Sequence, residues 1–155
     1  MLFRKYFVNN HLNVVFHYIG CVQISNDRDV QIAHVGGNAT LNWRITGVPD
    51  GSIFVLDVFY YNSHRVEIFT GSYRKNNLWE RLSYSYDSPI DRNRINGYLN
   101  LNAGNGTLSV NLYNVRFNDS RVFSFEFFSS SSEEVVNNIT VDAQSKSLCI
   151  TFSDL

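Results

Sequence analysis

Asp57 and Glu67 are the carboxylates best spaced for chemistry. They fall on two consecutive β-prone runs that could set them facing each other, as a two-carboxylate hydrolase requires. The simpler account is a pair of polar residues on an open sheet, balanced by Arg65. His11, His17, His34 and His64 are too widely spaced for two of them to form a metal site on one strand or helix, so no metal site is expected. Gly36-Gly37 and the Gly104-x-Gly106 pair lack the strand-to-helix context of a phosphate loop, and turns explain them. No constellation supports catalysis, so neither enzymatic activity nor a cofactor is expected.

Four Asn-x-Ser/Thr triplets begin at Asn38, Asn105, Asn118 and Asn138, the acceptor pattern for N-glycosylation. In a chain this rich in Asn, Ser and Thr their number is weak support. Their placement counts for more, because all four are expected near turns or strand ends, where an attached sugar stays in water. Cys21 and Cys149 have no neighbouring cysteine to complete a zinc pair.

With 155 residues, 44% of them hydrophobic and 15% aromatic, the chain can bury one core and offset the entropy lost on ordering, which excludes a disordered or collagen-like class. The abundance of Val, Ile, Tyr, Phe and Thr leans toward strands. A formal charge of -1 with scattered Lys and Arg argues against a nucleic-acid partner. Residues 1–20 carry Arg4-Lys5 and apolar patches, but Asn9, Asn10, His11, Asn13 and His17 interrupt them, which makes a poor signal peptide or leader. No stretch reaches the roughly 20 apolar residues of a spanning helix, so any membrane anchor is expected outside this sequence.

Short alternating or β-branched runs lie at 22–25, 30–35, 39–45, 53–61, 65–69, 81–86, 95–101, 107–112, 121–128 and 139–143, separated by Gly-, Asn- and Ser-rich turns. That spacing predicts an all-β, two-sheet sandwich or a barrel. The charge at Asp57 marks its face as wet, which sends Phe54, Leu56, Val58 and Tyr60 inward. The same alternation turns Phe123, Phe125 and Phe127 inward. It leaves Asp57, Phe59, Tyr61, Arg65, Glu67, Phe69 and Glu126 outside.

The segment Thr107-Leu-Ser-Val-Asn-Leu-Tyr-Asn-Val-Arg-Phe-Asn-Asp-Ser-Arg-Val-Phe-Ser-Phe125 resembles the E strand, E–F corner and F strand of variable-type immunoglobulin domains. Gly36-Gly-Asn-Ala-Thr-Leu-Asn-Trp43 is similar to the start of their strand B. The resemblance spans residues 22–143 and implies an antiparallel immunoglobulin-like sandwich at 21–144, followed by a terminal segment or linker at 145–155. It puts Trp43 and Phe125 at the two framework cysteine positions and Phe123 at the corner tyrosine. Leu41, Trp43, Phe54, Leu56, Phe123 and Phe125 then form the core, two large rings standing in for a disulfide that often contributes roughly 2–4 kcal/mol. It also implies an ion pair between the corner Asp119 and an arginine that opens strand D, Arg94 first and Arg92 next. In this topology Cys21 and Cys149 fall near opposite ends of the sandwich. A strand of ten residues spans about 33 Å and a disulfide needs Cα atoms within about 7 Å, so no bond between them is expected.

The resemblance extends to cysteine-poor adhesion domains of the carcinoembryonic-antigen family and to invertebrate allorecognition receptors. It implies a cell-surface or extracellular recognition domain that binds a protein partner, a second copy of itself among the candidates, through Asp57, Phe59, Tyr61, Arg65, Glu67, Phe69 and Glu126. Aromatic anchors mixed with both signs of charge suit a protein interface. The alternative is a carbohydrate-binding sandwich in which Tyr60, Tyr61, Tyr73, Trp79, Tyr84 or Tyr86 stacks on sugar rings.

Overall fold

The computed structural model describes residues 22–48, 53–74, 81–85, 88–102, 105–129 and 132–145. Ten strands follow one another: β1 (Gln23–Asn26), β2 (Val30–His34), β3 (Ala39–Thr46), β4 (Ile53–Asn62), β5 (His64–Arg74), β6 (Arg81–Tyr84), β7 (Ile95–Asn102), β8 (Asn105–Leu112), β9 (Arg121–Ser129) and β10 (Ser132–Gln144). A 3-10 turn at Arg92–Arg94 opens β7 and another at Phe117–Asp119 precedes β9. The strands form a four-stranded sheet ordered β1-β3-β8-β7 and a six-stranded sheet ordered β2-β10-β9-β4-β5-β6. Among the described residues, the pairings are antiparallel except that of β2 with β10.

Strict alternation in β3 buries Ala39, Leu41, Trp43 and Ile45, while β9 turns Phe123, Phe125 and Phe127 to the same core. Leu41, Trp43, Phe54, Leu56, Phe123 and Phe125 are each at most 1% exposed. The Trp43 and Phe125 rings meet between the sheets with centroids 5.8 Å apart at 52°, and Phe54 packs on Phe127 at 4.7 Å. These are favourable separations for aromatic pairs.

The two sheets are also tied through charge. Arg94, at the end of the first 3-10 turn, donates to the Asp119 carboxylate and, at 2.9 Å, to the Asn114 carbonyl oxygen. Asp119 in turn accepts the Arg116 backbone N–H at 2.7 Å, which holds the turn leading into β9. Arg94 and Asp119 are both buried, so each covers a charge that would be costly to leave alone. Gly97 on β7 faces Leu82 and Phe69 of the other sheet. A Cβ there would lie 2.5 Å from Leu82 Cδ2 and 3.2 Å from the Phe69 ring.

Two strands run further than the sequence pattern indicates. β5 continues through Arg74, and β10 begins at Ser132 rather than near Ile139. The early half of β10 is mostly polar, with Glu134, Asn137 and Asn138 around Val135 and Val136, and that masks it as a loop. Cys21, Cys149, Trp79, Tyr86, residues 1–20 and residues 146–155 lie outside the described residues, as does the Tyr73 side chain.

Candidate protein-docking face

The outer face of the six-stranded sheet is assembled from alternate residues of β2, β10, β9, β4 and β5. Register aligns Asn138, Ser124, Phe59 and Glu67 in one row across four strands, and Val136, Glu126, Asp57 and Thr70 in the next. Asp57 and Glu126 thus stand directly opposite each other, a like-charge pairing that destabilises a sheet unless a cation relieves it. Arg65 is that cation. Its guanidinium donates to Asp57 at 2.7 Å and to the Glu126 carboxylate, and it lies 3.9 Å from the centre of the Phe59 ring. One side chain therefore bridges both acids and caps an aromatic surface.

This cover changes how the expected docking residues are presented. Asp57, Phe59 and Glu126 project from the outer face by register, but they are buried beneath Arg65 and their neighbours instead of open to water. Tyr61 is 68% exposed and packs edge-on against Phe59 at 5.5 Å, and Glu67 is exposed. Phe69 does not belong to this face. A bulge between Val58 and Phe59 makes β5 skip a pairing, so Phe69 opposes core-facing Val58 and sits inside against Tyr84. Simple alternation across 65–69 could not reveal that inserted residue.

The face also holds apolar residues that the charge-centred reading did not select. Val30, Ile32, Val55, Val122 and Val136 are all at least 44% exposed, and Val30 shares a register row with Thr140 and Val122. Part of their signal was present in β2 and β9, where Val30 and Ile32 share one phase and Val122 stands on the phase opposite the inward phenylalanines. The Glu126 carboxyl is held above the ordinary glutamate range, chiefly by burial and then by a hydrogen bond with Glu134, against the opposing pull of Arg65.

The other sheet presents a different outer surface. Its rungs are Thr40–Asn111–Asn96, Asn42–Ser109–Tyr98 and Arg44–Thr107–Asn100. Thr40 donates to Asn111 and Ser109 to Asn42, both at 2.8 Å, so these polar groups satisfy one another. Of the expected sugar-stacking residues, Tyr60 is fully buried against Phe123 and Tyr84 is half-buried against Phe69, which leaves only Tyr61 open among those whose side chains are described. Among the described residues there is no cluster of His, Cys, Asp and Glu able to hold a metal ion. No helix there is long and apolar enough to cross a membrane.

No protein-family model matches the sequence, and no curated protein sequence matches it. Solved structures do match. A structure from work on multimeric cell-adhesive interactions of VGSC beta subunits superposes with TM-score 0.63 at 13% identity, covering 76% of this chain and 92% of that one. Domain 1 of VCBP3 from Branchiostoma floridae gives 0.61 at 12% identity over 80% and 96% of the two chains. The fold is that of a variable-type immunoglobulin domain. A third such structure, the RIG-5 IG1 homodimer, gives 0.56 at 10% identity over 80% and 98%. Within this immunoglobulin sandwich, Trp43 and Phe125 bring the sheets together by ring contact.

The four acceptor asparagines are all exposed, but they are not placed alike. Asn38 immediately precedes β3, Asn105 opens β8 and Asn118 sits in the 3-10 turn before β9. Asn138 is not at a turn or strand end. It stands in the interior of β10, paired with Ser124.

Proposed function

We propose that the chain is an extracellular or cell-surface recognition domain that docks an immunoglobulin-like protein partner on the outer face of the β2-β10-β9-β4-β5 strands. The observation that carries this reading is the exposed apolar set Val30, Ile32, Val55, Tyr61, Val122 and Val136, grouped on the one sheet face whose charged centre is already desolvated. The opposite sheet offers hydrogen-bonded polar rungs and lacks such an apolar group. Structures of the same fold from adhesion and homodimer studies support the reading by analogy of fold.

The charge balance refines the partner. Among the described side chains at the centre of this face, Asp57, Glu67, Glu126 and Glu134 outnumber Arg65, whose donors are committed to two of them. A surface with exposed basic groups around an apolar centre complements this face better than a second copy does.

The test is binding of the purified chain to a panel of immunoglobulin-like proteins displayed on cells, with the chain itself in the panel. Binding to a member should be lost with Val122→Arg, weakened with Glu67→Lys and retained with Tyr98→Ala on the opposite sheet. The reading fails if Tyr98→Ala abolishes binding while Val122→Arg leaves it intact. Arg65 is unsuited to this test, because its removal leaves two opposed buried carboxylates without their cation, at a cost of about 3–5 kcal/mol.

A further inference from the structure

Asn138 begins the triplet Asn138-Ile139-Thr140 and is exposed on the same outer face as Val136 and Thr140, while Ile139 points into the core. Its register partner is Ser124, and the same row continues through Phe59 to Glu67. Neighbouring strands are about 4.8 Å apart, so Asn138 stands roughly 10 Å from the strand that carries Phe59 and Asp57. A stable protein interface covers about 800 Å² on each partner. Asn138 lies on β10 between Val136 and Thr140, and Thr140 stands opposite Val122, so a footprint that covers both Val136 and Val122 also covers Asn138.

We infer that Asn138 is a glycan-controlled gate on the docking face: a chain bearing a sugar there is closed to its partner, and a chain with bare Asn138 is open. The inference rests on the docking reading above. A glycan is bulky and strongly hydrated, so the partner would have to dehydrate it or stand off from Val122 and Val136. Asn38, Asn105 and Asn118 flank the sandwich at strand starts and a turn and do not interrupt this face. The position of the acceptor within the apolar set, and not the number of acceptors, makes occupancy a selector of the docking-competent population.

The experiment uses the full chain secreted from a eukaryotic cell. Glycopeptide mapping should find sugar on Asn138. Val122→Cys should react several-fold more slowly with a polyethylene-glycol maleimide than the same cysteine in a Thr140→Ala background, which keeps Asn138 but removes its acceptor triplet. Tyr98→Cys on the opposite sheet should react equally in both backgrounds, with the labelled residue identified by peptide mapping. Bare Asn138 in the secreted chain, or equal Val122→Cys rates in the two backgrounds, overturns the gate. If the sugar shields Val122→Cys but Thr140→Ala gains no binding to any panel member, the docking reading falls and the shielding stands.

Discussion

Trp43 fills the centre of the sandwich, yet its indole N–H is buried with no acceptor among the described residues. The ring is thus held by packing against Phe125 and the inner faces of both sheets, and its polar atom is a liability. Trp43→Ala should cost about 3–5 kcal/mol by cavity formation. Trp43→Phe should cost clearly less, about 1–2 kcal/mol, because lost volume is partly offset by removing an unsatisfied donor. Urea unfolding of both variants checks this, and equal losses would mean that the N–H is engaged after all. The inward placement of Trp43, Phe123 and Phe125 is legible in the sequence because period-two alternation is unbroken across 39–46 and 121–127. Burial of Asp57 and Glu126 is not, because it depends on where the long Arg65 side chain lies, which strand spacing does not encode.

Strand existence and order follow from turn residues and alternation, whereas strand ends and register depend on partners elsewhere in the chain. The bulge opposite Val58 and Phe59 reverses the facing of everything after it in β5, which moves Phe69 from the expected docking surface into the core. Once inside, Phe69 and Leu82 press against the bare backbone of Gly97 on β7, so this glycine is required by close approach rather than by a turn. Gly97→Ala should destabilise the fold by about 1–3 kcal/mol, since the added methyl collides with a leucine end that can yield only partly. Leu82→Ala should relieve that collision, making the double variant less damaged than the sum of the singles. Additive losses in a thermal-unfolding cycle would show that β6 and β7 are not in contact through this pair.

At the scale of the whole molecule, the two sheet faces differ in kind, and the face proposed above for docking is also the one that holds the opposed acids Asp57 and Glu126. Glu126 titrates above its ordinary value of 4.5, mainly through burial and then through Glu134. Between 4.5 and that raised value the folded chain keeps a proton that the unfolded chain has released, so unfolding releases it. The contribution of this carboxyl to stability is therefore full below 4.5 and is lost as pH rises through the folded value. Glu134→Gln replaces the second acid with an amide that can donate to ionised Glu126. The Glu126 midpoint should then fall toward 4.5 in a carboxyl NMR titration. Urea unfolding should show a smaller drop in stability for this variant than for the parent chain as pH rises from 4.5 through the parent's folded midpoint. An unchanged midpoint with an unchanged slope would mean that burial alone holds the proton.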